Sequence, residues 1–264
     1  MSDRITTSKL EAMKTAGEKF VMVTAYDATF ARLVSEAGAE CILVGDSLGM
    51  VLQGHDTTVP VSLEAMVYHT ECVARARPRS LIVSDLPFMT YSSPDVALAA
   101  SMELMQKGAQ MVKLEGGTWL SETIHQLVQR GIPVCAHLGL TPQSVNVFGG
   151  YRVMGRTPKE AKSILADAVE IQDAGASILL LECVPEELAA DISSKLDIPV
   201  IGIGAGAGTD AQVLVLHDLL GLTEKPAKFV QNFMTEANTV QGAIAGFVNA
   251  VKDGSYPRAE HTYR

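Results

Sequence analysis

Basic residues are scarce in this chain: 21 lysines and arginines stand against 30 aspartates and glutamates, a net charge of −9. Nucleic acid is therefore not expected as the main partner, because phosphate binding needs basic patches. A small anion is not excluded, since one local cation suffices for it. Long apolar runs are also missing. The opening Met1-Ser-Asp-Arg-Ile-Thr-Thr-Ser8 has no apolar stretch of the signal-peptide kind, and nothing approaches the length of a membrane span. There are four cysteines, Cys41, Cys72, Cys135 and Cys183, and none has the close spacing of a metal site. Three sit in apolar runs. They read as reduced core residues of a cytoplasmic protein.

What is present is a repeat of apolar strand and helix. With 47% hydrophobic residues in 264, the chain can fill a large core. A short helix over about 5–17 comes first. Strands are then expected at Phe20–Tyr26, Cys41–Gly45, Leu81–Asp85, Met111–Glu115, Pro133–His137, Ser177–Glu182 and Pro199–Gly204. Helices fall between them, often opened by serine or proline and closed by glycine. After the seventh strand the pattern predicts a helix over 210–220, an eighth strand within 228–233 and a last helix over 239–252. Eight such units without a composition break predict one α/β domain across 1–264, a (β/α)₈ TIM barrel with a short N-terminal helix. An open doubly wound sheet shares the pattern, but the regular count favours the closed barrel.

The strands share one habit: apolar run after apolar run ends in a polar residue. Tyr26 and Asp27, Asp46 and Ser47, Asp85, Lys113 and Glu115, His137, and Glu182 all stand at such ends. Any one of them could cap a helix or form a turn. In a barrel, however, all of them converge on the catalytic face. Lys113 and Glu115 alternate within one strand and so project the same way. A buried ion pair there is weak evidence for stability. Asp46, Asp85 and Glu115 form an oxygen-rich set suited to a hard cation such as Mg²⁺. Lys113 would offset their charge and pair with a substrate carboxylate. Glu182, between Leu181 and Cys183, is the candidate general base, its apolar flanks expected to raise its pKa. The run Gly202–Gly208 has alternating glycines rather than a dinucleotide fingerprint and reads as a turn at the barrel mouth. The glycine-containing loop 139–156 reads as a lid.

Several stretches together carry a resemblance. They are Val44-Gly-Asp-Ser-Leu-Gly-Met50, Gln53-Gly-His-Asp-Thr-Thr-Val-Pro60, Ser84-Asp-Leu-Pro-Phe-Met89, Val112-Lys-Leu-Glu-Gly-Gly117, His137-Leu-Gly-Leu-Thr-Pro-Gln-Ser144, Phe148-Gly-Gly-Tyr151, Leu181-Glu-Cys-Val-Pro185 and Ile201-Gly-Ile-Gly-Ala-Gly206. In this order the chain resembles the ketopantoate (3-methyl-2-oxobutanoate) hydroxymethyltransferases over essentially its whole length. The resemblance implies a (β/α)₈ barrel that uses Mg²⁺ and transfers a one-carbon unit from 5,10-methylenetetrahydrofolate to 3-methyl-2-oxobutanoate in pantothenate synthesis. It implies Asp46, Asp85 and Glu115 around the metal, and Ser47 and Lys113 on the substrate carboxylate. Glu182 is implied as the base and His137 as a pocket residue. It also implies a homo-oligomer, commonly a decamer. Two departures stand out: Met154 replaces an expected glutamine, and Pro226-Ala-Lys-Phe229 carries an extra residue after a shortened glycine-rich segment. A lyase or mutase of the phosphoenolpyruvate-binding barrel group is the competing enzyme reading, but its Lys-Lys-Cys-Gly-His loop is absent. A non-catalytic metabolite-binding barrel would not need Glu182. The tail Tyr256–Arg264 fits either a subunit contact or a loose end.

Overall fold

A computed structural model describes residues 4–264. Eight parallel strands close on themselves: β1 Phe20–Thr24, β2 Cys41–Val44, β3 Leu81–Asp85, β4 Met111–Glu115, β5 Val134–Gly139, β6 Ile178–Glu182, β7 Val200–Ile203 and β8 Ala211–Leu214. The last seam is β8 against β1, with Phe20 opposite Ala211 and Val23 opposite Leu214. Nearly every strand residue is buried, as expected for a sheet covered on both faces.

The covering helices are α1 Thr7–Ala16, α2 Ala28–Glu36, α3 Leu63–Arg75, α4 Pro94–Gln106, α5 Ser121–Gln129, α6 Pro158–Asp173, α7 Glu186–Lys195 and α8 Val240–Lys252. Their starts follow local chemistry. Thr6, Ser62, Ser93, Thr157 and Thr239 each accept an N–H of the first turn, and Thr157 with Glu160 forms a reciprocal capping box. Asp27 caps α2 in the same way, accepting from Thr29 and Phe30. Its carboxylate serves the helix and not the barrel mouth.

The eighth unit departs from the sequence expectation. Residues 211–214, expected to be helical, are β8, and only a single turn, Leu216–Leu219, follows. The 228–233 segment is not a strand; it leads into a short turn at Phe233–Glu236. The physical cause is the connection from β7 to β8, which is a glycine-rich loop with no helix. Parallel neighbours normally require a longer crossover. Here Gly204, at φ +60°, turns the chain where a side chain would strike Phe229.

The C-terminal tail packs on its own barrel. Tyr256 donates its hydroxyl hydrogen to Phe229 O, and Glu186 N–H donates to Tyr263 O. Tyr256 also meets Phe233 and Phe247 edge to face, with ring centroids 5.6–5.7 Å away. All four cysteines are free thiols. No described helix is long and apolar enough to cross a membrane.

Candidate active site

Strand register assembles the mouth. Asp85 of β3 lies opposite Lys113 of β4, Glu115 of β4 opposite His137 of β5, and Gly139 of β5 opposite Glu182 of β6. Residues far apart in sequence thereby form one arc of alternating charge. Lys113 Nζ stands 2.7 Å from Asp85 Oδ1 and 3.6 Å from Glu115 Oε1. His137 Nδ1 meets Glu115 Oε1 at 3.1 Å, and its Nε2 lies 3.3 Å from Glu182 Oε2, off the hydrogen-bond direction. Sequence assigned Lys113 and Glu115 different partners, a substrate carboxylate and a metal, with little compensation of one by the other. The nearer partner of Lys113 is instead Asp85, across the strands. Gly139 permits the β5–β6 approach, since a Cβ there would stand 2.2 Å from Glu182 O. Directly after Glu182, Cys183 adopts φ +48°, a strained turn for a non-glycine residue.

Asp46 and Ser47 follow β2. The backbone N–H of Asp46 donates to Asp85 Oδ2 at 2.9 Å, and Ser47 Oγ shares a 2.9 Å hydrogen bond with Tyr26 Oη. All seven residues expected at the site, Asp46, Ser47, Asp85, Lys113, Glu115, His137 and Glu182, line one cavity of about 180 Å³. Apolar side chains, Leu43, Leu180, Ile203 and Val213, line it as well.

Gln143 is the organiser that sequence reasoning missed. It lies in the loop after β5, which carries two short helical turns, Pro142–Ser144 and Val145–Phe148. Its side-chain amide donates to Asp46 Oδ2 at 2.8 Å and to Leu86 O at 2.9 Å, while its N–H donates to Glu115 Oε2 at 3.0 Å. Tyr91 donates to its amide oxygen at 2.5 Å. The signal was the Thr-Pro-Gln stretch beyond a polar strand end. Farther along this loop, Met154 is half-buried against the core, and its N–H donates to Cys183 O.

Electrostatics reflect this crowding. Burial, then Asp85 and Glu115, raise the Asp46 carboxyl well above its ordinary range. Burial disfavours the charge on Lys113, yet Asp85, Glu115 and Asp46 together hold its pKa above normal. Burial likewise opposes a charge on His137, but Glu115 and Glu182 outweigh it and push the pKa up to about 9. Against burial, His137 and Lys113 keep Glu115 below its usual range.

Four carboxyl groups, Asp46, Asp85, Glu115 and Glu182, share this mouth with two cations, Lys113 and His137, and the crowding is what drives the Asp46 carboxyl up. Among the described residues, no three histidine, cysteine or acidic side chains converge as a ready-made coordination shell. Glu115 is committed to His137 and Gln143, and Asp85 faces Lys113. Such a set suits a cation that takes one or two carboxylates and completes its shell with water and ligand oxygens, as Mg²⁺ does.

The family described as ketopantoate hydroxymethyltransferase matches residues 4–259. The chain belongs to that family. The 3-methyl-2-oxobutanoate hydroxymethyltransferase 2 of Pseudomonas entomophila (strain L48) is 56% identical over 261 residues, covering 98% of each chain. The 3-methyl-2-oxobutanoate hydroxymethyltransferase of Burkholderia multivorans (strain ATCC 17616 / 249) is 56% identical over 260 residues, 98% of this chain and 96% of that one. Solved structures share the fold at much lower identity. A putative phosphonomutase from Burkholderia cenocepacia J2315 matches at a TM-score of 0.65 and 17% identity, over 82% of this chain and 95% of that one. A 2,3-dimethylmalate lyase of the PEP mutase/isocitrate lyase superfamily matches at 0.60 and 16%, over 97% and 98%. Membership of the transferase family therefore rests on sequence, and the barrel is shared with lyases and mutases.

Proposed function

We propose that the protein transfers a hydroxymethyl group from 5,10-methylenetetrahydrofolate to 3-methyl-2-oxobutanoate, giving 2-dehydropantoate (ketopantoate) and tetrahydrofolate on the way to pantothenate. The observation that carries this reading is the arc Asp85–Lys113–Glu115–His137–Glu182 around a cavity of about 180 Å³. That cavity offers charge for an oxo acid together with apolar surface, Leu43, Leu180, Ile203 and Val213, for its isopropyl group.

On this reading Asp46, Asp85 and Glu115 hold Mg²⁺, directly or through water. The bound ion would supply positive charge opposite the oxygen that becomes negative when the oxo acid enolises. Lys113 and the Ser47 hydroxyl bind the carboxylate. Glu182 accepts the C3 proton, and its side chain, 17% exposed, remains the most open of the arc's carboxylates. His137, hydrogen-bonded to Glu115, places its Nε2 3.3 Å from Glu182 Oε2 and lines the pocket beside the base. Water adds to the iminium carbon of the donor and the C–N bond breaks, releasing tetrahydrofolate and formaldehyde; C3 then bonds to the formaldehyde carbon, whose oxygen takes up a proton and becomes the hydroxyl.

The test is turnover by the purified protein with Mg²⁺, 3-methyl-2-oxobutanoate and methylenetetrahydrofolate. Ketopantoate formation is expected. A folded, Mg²⁺-supplied protein that makes none contradicts the reading.

A further inference from the structure

Three cavities meet at Tyr151. The inner one, about 180 Å³, holds the arc. A second, about 280 Å³, opens beside Glu182, Cys183 and Val153. A third, about 900 Å³, lies between the segment after β2 and the segment after β8, and shares Ser47, Met50, Tyr151, Val215 and Asp218 with the inner cavity. Sites for drug-sized ligands run to roughly 300–1,000 Å³. The inner cavity is thus too small for the oxo acid and its donor together, and of the two flanks only the third has room for a ring system with a tail.

The chemistry of the third chamber also suits the donor. A pterin carries a ring N–H beside an amino group, and a carboxylate can accept from both at once. Asp218 lines both cavities. Its carboxylate accepts a hydrogen bond from the Thr223 hydroxyl. Burial lifts its carboxyl above the ordinary range, against Thr223 and His217. His217 lines the same chamber, and its Nδ1 is buried without a hydrogen-bond partner. The rim is apolar: Met50 is 39% exposed, Tyr151 50% and Leu222 65%. Tyr151 reaches Met50 Sδ at 3.7 Å, so the two form a surface on which a flat ring can stack. Lys225 stands on the outer wall, where it can meet an acidic tail.

We infer that the one-carbon donor docks in this third chamber, its ring edge held by Asp218 and its acidic tail led out past Lys225. The inference rests on the proposed reading that the donor is a reduced pterin. It also gives a place to the sequence departures at 224–229. Glu224, Lys225 and Ala227 form part of this wall, so they would tune donor binding rather than the metal or the base.

Asp218→Asn should raise the KM for methylenetetrahydrofolate at least tenfold and move the KM for 3-methyl-2-oxobutanoate less than twofold. Leu222→Ala and Lys225→Ala change exposed residues and should still fold; each should raise the donor KM about threefold or more. Val153→Ala, in the smaller flank, should leave it unchanged. Equal shifts in both KM values for Asp218→Asn, or a donor KM that responds to Val153 and not to Leu222, overturn the inference. Calorimetry with tetrahydrofolate alone separates this from failure of the proposed function. Should the wild type bind tetrahydrofolate yet make no ketopantoate, the function fails while a tenfold weaker Kd in Asp218→Asn still supports the chamber. Equal Kd values in the two proteins, or no binding to either, overturn it.

Discussion

The two ends of this barrel carry buried charge in different ways. At the end where the strands begin, charges match one to one. Lys14 of α1 meets Asp210 Oδ2 at 2.7 Å, and that oxygen also accepts from Ser193 and the Val200 N–H. Lys252 of α8 meets Glu40 Oε1 at 2.6 Å, while Glu40 Oε2 accepts from Val21 N–H. Each pair ties a helix to the start of a strand, and each carboxylate has found protein donors. At the mouth, Asp46, Asp85 and Glu115 crowd around Lys113, with His137 and Glu182 beside them. The first arrangement is complete without a ligand. The second crowds its carboxyl groups so closely that Asp46 is driven well above its ordinary range, and on the proposed reading a bound cation relieves that crowding.

The largest effect that sharpens this contrast should come from Lys113→Met. Removing one partner from a buried charged network leaves unpaired carboxylates and costs about 3–5 kcal/mol. Urea unfolding should show that loss, and turnover should vanish. A variant that unfolds at the wild-type midpoint would show that the mouth is not charge-strained. Next comes Glu182→Gln. Loss of a general base costs roughly 10²–10⁴-fold in rate, so deuterium exchange at C3 of the oxo acid, followed by NMR with Mg²⁺ and no donor, should slow by at least 100-fold. Because Glu182 is partly open, the unfolding midpoint should hardly move. Exchange at the wild-type rate would remove Glu182 from its role.

At the other end, Lys14→Met should cost about 1–3 kcal/mol through the hydrogen bonds to a charged group that it loses, with both KM values unchanged. A large change in KM there would erase the distinction between the two ends. The smallest effect is on pH dependence. The pKa of His137 is raised to about 9 in the folded protein, from an ordinary value near 6.5. Its stabilising contribution is therefore fully present below about pH 6.5 and is lost as pH rises through 9. Metal-free wild type should lose urea resistance from pH 7 to 9.5, and His137→Gln should lose less. Parallel curves would contradict the placement of its charge.

Seven strands, and the meeting of seven expected residues in one cavity, were legible because one signal recurs in six of those strands, an apolar run closed by a polar residue, and parallel register does the rest. β8 was not legible. Ala211-Gln-Val-Leu214 is short, Gln212 interrupts it by bonding to Thr209 and Gly206 O, and the expected helix before it is replaced by a loop. Gln143 was hidden for a different reason: its importance lies in four partners drawn from three segments, after β2, after β3 and on β4, which no local pattern encodes. Nor could sequence pair Lys113 with Asp85 in preference to Glu115, because that choice depends on the β3–β4 register. The Asp27 cap and the Asp46 site residue look alike in sequence as well. They differ only in whether the following N–H groups or the barrel mouth receives the side chain.

Direct titration of Mg²⁺ by calorimetry tests the central claim, that the mouth is a cation site and the opposite end is scaffold. Wild type and Lys14→Met should bind one equivalent with the same affinity, and Asp85→Asn should bind at least tenfold more weakly. Failure of the wild type to bind Mg²⁺, or equal affinity in Asp85→Asn, would contradict it.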